Sequence, residues 1–344
     1  MSIHGGNIYE HPSVIDFSAN CNCYGMPPHV REAAFCGVEQ SVHYPDPDQR
    51  ALRQAIGTYE HMDASFVLCG NGASELLAAL MRALGPKRAL LLSPGFYEYE
   101  RTLKQSGAQI TFFQTQPENG YLPGEAFLNQ IRSESPDVVV LSNPNNPTGA
   151  LLSPEYLFEL VRLTVKNQTR LVVDECFLDF LEDGDHYSVR QYLKEYPRLV
   201  LLKAFTKTHG CAGLRIGYML SCDRGLLDAC KGELPEWNVS LPAACAGIAA
   251  TGEREWLLDT TKKIRIEREW LQGQLESLGA KVFPGAANYL FFLWKKGLYE
   301  YCLARGILIR DCSNYRGLGD GAYRVCVRTH EENLQLLSVL ADWK

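Results

Sequence analysis

Residues 137–149 read DVVVLSNPNNPTG. Four apolar residues, Val138 to Leu141, stand between Asp137 and a loop with two prolines and three asparagines. A run this short, β-branched and free of alternation predicts a strand covered on both faces. The loop behind it is dense in turn formers. Pro144 and Pro147 lack amide donors and stiffen it, while Asn143, Asn145 and Asn146 offer side-chain amides. Similar runs stand on both sides: KRALLLSP (87–94), AQITFFQ (108–114), RLVVDECF (170–177) and RLVLLKAF (198–205). Between them lie stretches of helical period. One opens at Ser153, a good N-cap, with Pro154 at the first helical position and Leu157, Val161 and Thr164 on one face. This alternation, from about residue 65 to about residue 235, predicts an α/β fold with a mostly parallel sheet and helices on both faces.

Beyond this region the pattern changes. LPEWNVSLPA (234–243) carries two prolines and a tryptophan at a hinge-like position. A long helix is expected over 241–278, broken near Gly252, then the strands YLFFLW (289–294) and YRVCVR (323–328), and a last helix from about Glu331. The expected organisation is an N-terminal arm (1–35) that contributes to the small domain and the active site, a large domain (36–235), and a smaller α+β domain (236–344).

Composition narrows the function. The 344 residues are 46% hydrophobic and 22% charged, which excludes disorder. A net charge of −6 points away from nucleic acid and anionic membrane surfaces. The 12 cysteines are scattered, with neither a CxxC pair nor a Cys/His cluster, so no metal site is expected and the thiols read as reduced. MSIHGGNIYE (1–10) has no basic n-region and no apolar h-region, and no apolar run reaches the roughly 18 residues of a membrane span. The cytoplasm is the expected compartment.

In an open parallel sheet, ligands sit at the carboxyl ends of the strands. The polar stretches there are SPGFYEY (93–99), SNPNNPTG (142–149), DECFLDF (174–180) and KAFTKTHG (203–210). Asp174 either caps a turn or pairs with a cation, because a buried carboxylate is costly alone. CGNGASELL (69–77) is glycine-rich and runs into a helix, whose first free amides make an anion site. Thr206 and Arg215 would add a hydroxyl and a charge to the same anion. Two lysines, Lys203 and Lys207, lie within VLLKAFTKTHGCAGLRIGY (200–218). Either alone reads as an ordinary charge. Lys203 lies within the strand, and Lys207 lies beyond it among small residues. An amine, a carboxylate for a ring nitrogen, an amide for a ring oxygen and a phosphate cup together describe pyridoxal 5'-phosphate (PLP). Lys207, Asp174, Asn146 and the GNGAS loop with Arg215 supply that set.

The order NPNNPTG, DECF, KTHGCAGLR resembles the fold-type-I PLP enzymes of the aspartate aminotransferase superfamily, in their histidinol-phosphate aminotransferase-like branch. Within it, HGGNIYE (4–10), IDFSANCN (15–22), YPDPD (44–48), ANYLFF (287–292), ILIRDCSNY (307–315) and YRVCVR are similar to the members that decarboxylate a phosphorylated amino acid in cobalamin biosynthesis. The resemblance implies that Lys207, eight residues before Arg215, binds PLP covalently, and that Lys203 is incidental. It implies Asp174 on the pyridine nitrogen, Asn146 on the ring oxygen and Phe96 stacked on the ring. Gly72, Ala73, Thr206 and Arg215 would hold the phosphate. Tyr44 would reach the cofactor of a neighbouring subunit, which implies a homodimer. His4, Gly5, Asn20, Asn146, Arg310 and Arg324 would bind substrate, the two arginines clamping its phosphate and carboxylate, with the His4 arm as a lid.

Two positions depart from the aminotransferases of this branch. Phe177 stands where they carry Tyr, as in the decarboxylating members. Ala204 stands where Ser or Thr commonly contacts the cofactor phosphate, a loss of about 1–2 kcal/mol. The implied reaction is decarboxylation of L-threonine O-3-phosphate to (R)-1-amino-2-propanol phosphate. The alternatives are a histidinol-phosphate-type aminotransferase, a decarboxylase of L-serine O-phosphate, and a non-enzymatic sensor on the same fold.

Overall fold

The structure, a computed structural model, describes residues 4–343. The first three residues of the expected arm and Lys344 lie outside them. In chain order the strands are β1 (Ile15–Asp16), β2 (Val67–Gly70), β3 (Arg88–Ser93), β4 (Gln109–Gln114), β5 (Val138–Ser142), β6 (Arg170–Asp174), β7 (Leu199–Ala204), β8 (Gly217–Leu220), β9 (Lys281–Phe283), β10 (Tyr289–Leu293), β11 (Ile307–Leu308), β12 (Arg310–Asp311) and β13 (Ala322–Cys326).

Seven of them form one sheet in the order β2-β8-β7-β6-β5-β3-β4. The ladders β3–β4, β3–β5, β5–β6 and β6–β7 are parallel, as expected. β5 and β7 are buried along their whole length, which explains their unbroken apolar runs. β4 forms one edge and is half-buried, because nothing flanks it on its outer side. β2 and β8 are additions to the sequence reading. β8 runs antiparallel to both neighbours, placing Gly217 opposite Gly70 and Ala204. Because β8 runs backward, its first residues lie at the edge where β2, β7, β6, β5 and β3 end.

Helices cover both faces. The core on one face joins Leu76, Leu80 and Met81 of the helix Ala73–Leu84 to Leu91, Val140, Val172 and Val200. The core on the other face joins Leu157, Leu160 and Val161 of the helix Pro154–Lys166 to Val139, Leu171 and Leu201. Each such fully buried side chain contributes about 1.5–3 kcal/mol relative to exposure. Ser153 caps the second helix as expected, accepting from Tyr156 N at 3.2 Å.

The second sheet, β12-β13-β10-β9, is antiparallel and has its own core around Leu290, Phe292, Tyr323 and Val325. The expected long helix is two, Leu241–Ala250 and Arg254–Ser277, parted around Gly252. The last helix is His330–Ala341, with Thr329 and Glu332 forming a capping box. In the N-terminal segment, β1 pairs in parallel with β11 and Phe17 is fully buried in the second sheet's core.

Candidate active site

The polar strand ends converge on one cavity of about 340 Å³. Phe96, Glu98 and Tyr99 follow β3; Ser142 and Asn146 follow from β5; Asp174, Cys176 and Phe177 from β6; Ala204, Thr206 and Lys207 from β7. His4, Gly5 and Asn20 come from the N-terminal segment, and Arg324 from β13. His4 and Gly5 thus lie against the cavity of their own chain.

The two lysines have separate environments. Lys203 points away from this cavity and is buried between Glu60 Oε1, at 3.0 Å, and Asp179 Oδ1, at 2.8 Å. Those carboxylates raise its pKa well above the usual lysine value even though burial opposes the charge. Lys203 is thus a fixed cation. Lys207 sits in a single helical turn, Phe205–Thr208, and lines the cavity. No ion pair engages it among the described residues, so its amine is open to chemistry.

Asp174 ends β6 half-buried. Its Oδ2 accepts from Tyr99 Oη at 2.7 Å and its Oδ1 from Cys176 N at 2.9 Å. Burial and the adjacent carboxylate raise the Tyr99 and Cys176 pKa values well above their usual ranges, so both stay protonated. Tyr99 thus donates to Asp174 without competing for its charge. The sequence reading passed over this tyrosine, although it lies in the quoted SPGFYEY.

Asn146 Oδ1 accepts from Arg324 Nη1 at 2.5 Å. This fixes which side of the amide is acceptor and leaves Nδ2 as the donor for a ligand. Arg324 Nη2 donates to Ser18 O at 2.8 Å, and the guanidinium lies 5.4 Å from the Tyr289 ring centroid. Arg324 is only 5% exposed, and no carboxylate pairs with it among the described residues. A buried cation held only by neutral acceptors is a receptor for an anion. Arg310 stands opposite Arg324 in the β12–β13 ladder. Two like charges side by side repel, and the side chains diverge: Arg310 reaches Asn314 Oδ1 at 2.9 Å and lines two clefts beside the cavity, one of them together with His4 and Gly5, rather than the cavity itself. Asn20 is 2% exposed, and neither of its amide atoms has a partner among the described residues. Buried amides are seldom left so.

The anion cup forms where the helix Ala73–Leu84 starts without a side-chain cap. Gly217 lets this helix sit on the sheet: a Cβ there would stand 2.5 Å from Ala73 N. Gly72 has φ of +79°, and a Cβ on it would stand 2.4 Å from Arg215 Nη2. The guanidinium therefore lies over the glycine. Thr206 and Arg215 line the same cavity. Tyr44 does not; it is 78% exposed and stacks on Trp237 with ring centroids 4.5 Å apart.

His4 Nε2 lies 3.3 Å from Glu98 Oε1, and Arg101 Nη2 lies 2.6 Å from Glu98 Oε2. Gly6 N donates to Ser18 Oγ at 2.7 Å, while a Cβ on Gly5 would meet Ser18 O at 2.2 Å. Phe177 is buried edge-on to Tyr289.

These residues fit PLP. An unpaired amine, a carboxylate with its own donors, an oriented amide, an aromatic ring and a cup of amides with an arginine surround one cavity, and the orphaned Asn20 amide calls for a ligand.

Comparison with known proteins gives the same picture. The sequence is 33% identical to threonine-phosphate decarboxylase of Salmonella typhimurium, over 99% of this chain and 96% of that protein. It is 28% identical to histidinol-phosphate aminotransferase of Methanosphaera stadtmanae, over 96% of this chain and 90% of that one. The crystal structure of histidinol-phosphate aminotransferase from Clostridium acetobutylicum superposes with a TM-score of 0.87 at 26% identity, covering 94% of this chain and 97% of that chain. The family Aminotransferase class I and II matches residues 12–340. The chain belongs to the aminotransferase class I and II family.

Proposed function

We propose that this enzyme uses PLP to decarboxylate L-threonine O-3-phosphate to (R)-1-amino-2-propanol phosphate. The observation that carries the reading is the buried, carboxylate-free Arg324 in one cavity with Lys207, Asp174 and Asn146. The similarity to threonine-phosphate decarboxylase over nearly the whole chain selects the substrate.

When bound, PLP supplies an electron sink for the pair of electrons left on Cα. Lys207 would hold it covalently, and Asp174, steadied by Tyr99 and Cys176 N, would serve its ring nitrogen. Asn146 Nδ2 would donate to the ring oxygen, and Phe96 would cover the ring. The amides at Gly72 and Ala73, with Thr206 and Arg215, would hold its phosphate. Arg324, with Asn146 and Asn20, takes the substrate carboxylate, and Arg310 with His4 and Gly5 takes the distal phosphate. Where these groups place the two anions decides which bond at Cα breaks; binding energy from the remote phosphate fixes that orientation. The substrate amine would take the place of Lys207 on the cofactor, the Cα–carboxylate bond would break with loss of CO2, and the freed Lys207 Nζ would return a proton to Cα. Phe177 offers the ring oxygen no hydroxyl, in keeping with the decarboxylating members of the branch.

We further place the large domain at 36–235, the small domain at 236–344 and the arm at 1–35, in a cytoplasmic homodimer. Tyr44 then reaches the partner's site. Its exposure supports this, as does that of Phe35, Val38, Val42 and Trp237. No helix among the described residues is long and apolar enough to cross a membrane.

The test is a paired assay with carboxyl-labelled L-threonine O-3-phosphate, with and without 2-oxoglutarate. CO2 release independent of 2-oxoglutarate is expected. Glutamate formation without CO2 would make the enzyme an aminotransferase. A competition with L-serine O-phosphate measures the remaining selectivity, about 1–3 kcal/mol for one methyl contact.

A further inference from the structure

Lys203 belongs to a buried charged cluster that the reaction above does not use. Its Nζ bridges Glu60 Oε1, at 3.0 Å, and Asp179 Oδ1, at 2.8 Å. Glu60, fully buried just after the helix Arg50–Tyr59, also receives Arg190 Nη1 at 2.6 Å and the Tyr218 hydroxyl. Glu175 beside it accepts from Ser188 Oγ at 2.7 Å and Val189 N at 2.8 Å. The cluster is built across the two segments that carry the chemistry. Asp179 lies in the short helical turn Leu178–Phe180, in the segment that leaves β6 at Asp174 and includes Phe177, and Lys203 lies in β7, four residues before Lys207. β6 and β7 pair only as far as Asp174↔Leu202. Beyond that register, the backbone bond from Glu175 N to Leu202 O, at 2.8 Å, and the Lys203–Asp179 pair join the two segments.

We propose that Lys203 is a positioning residue. It ties the segment 174–179 to β7 and so fixes where Asp174 and Phe177 stand relative to Lys207. This rests on the roles given above to Lys207 and Asp174. It differs from a purely structural ion pair in one respect: loss of the tie must disturb the cofactor's surroundings even in a protein that folds.

Lys203→Met alone strands Glu60 and Asp179 without their cation and threatens folding. Lys203→Met combined with Asp179→Asn removes one charge of each sign and keeps the test informative. Three readouts are made on PLP-loaded protein: the visible absorption maximum, the fraction of chains pyridoxylated at Lys207 after borohydride, and kcat and KM for L-threonine O-3-phosphate. The double variant is expected to fold, shift the absorption maximum and lose at least tenfold in kcat with KM within threefold of wild type. Lys203→Arg, which keeps the cation, is expected to retain the wild-type maximum. A double variant with wild-type absorption, labelling and kcat, altered only in melting temperature, overturns the proposal. The first two readouts need no substrate, so a wrong substrate leaves them valid. A wild-type protein that takes up no PLP overturns the functional reading and this proposal together.

Discussion

Gly72→Ala tests the anion cup directly. The residue has φ of +79° and ψ of 161°, a region open essentially to glycine alone, so alanine there costs about 1–3 kcal/mol in backbone strain. The added Cβ would stand 2.4 Å from Arg215 Nη2 and 3.0 Å from its Cζ. Arg215 is exposed and, among the described residues, held only by Nη1 to Ala212 O at 3.3 Å, so its guanidinium yields before the backbone does. On the proposed role of Arg215, its displacement removes a charged hydrogen bond from the cofactor phosphate, worth about 1.5–3 kcal/mol. At about 1.4 kcal/mol per decade, the Kd for PLP should rise roughly 10- to 100-fold. Titration of apoprotein with PLP, followed by absorbance, measures this, and a urea midpoint measures the strain separately. If the clash acts through Arg215, Gly72→Ala adds nothing to Arg215→Ala, because the two changes remove one interaction. A Kd within threefold of wild type, or effects that add in the double variant, would refute the reasoning.

Lys207→Ala should abolish borohydride-stable labelling and lower kcat by at least about 10²–10⁴-fold, the usual range for a lost proton-transfer group; mass spectrometry and the CO2 assay check both. Arg324→Met leaves Asn146 Oδ1 and Ser18 O without their donor and should raise KM roughly 10- to 100-fold, from a charged bond of about 1.5–3 kcal/mol; steady-state kinetics decide. His209 is 1% exposed, and burial lowers its pKa to about 4. The unfolded chain takes up a proton near pH 6.5 and the folded one only near 4, so stability falls as pH drops through that window, by about 3 kcal/mol at 1.36 kcal/mol per pH unit. His209→Gln should flatten the difference between urea midpoints at pH 7 and pH 5; an unchanged difference would remove His209 from the acid response.

The sheet was legible where strands are covered on both faces. VVVLS and RLVVD are continuous apolar runs because helices pack on each side, and their ends carry the polar motifs. β2 and β8 were not, because four residues flanked by glycines and turns leave no periodicity to read. That Lys207, Asp174 and Asn146 meet at one cavity was legible through motif order, whereas the partners that orient them were not. Tyr99 meets Asp174 across 75 positions, a contact made only by the packing of the helix Tyr97–Gln105 against the sheet. Lys203 was read as incidental because its carboxylates come from a distant helix end and a turn after another strand. Arg310 and Arg324 were read together, and the ladder pairs them, but the adjoining cleft that takes Arg310 arises from the loop around Arg316, whose Nη2 lies 2.8 Å from Glu100 Oε1.

The reversal of the chain into β8 sets a ruler. Lys207 leaves β7 and Arg215 enters β8, and both stand at one edge of the sheet because the second strand runs back alongside the first. The excursion between them, seven residues long, must span that gap and return in register. One inserted residue would put Lys207 and Arg215, the two groups proposed to anchor the cofactor, out of step at once, and a slip by one position would turn every β8 side chain to the other face. This stretch is therefore intolerant of length change even at Gly213, its one exposed residue, and a scan of insertions should find it among the least permissive connections of the chain.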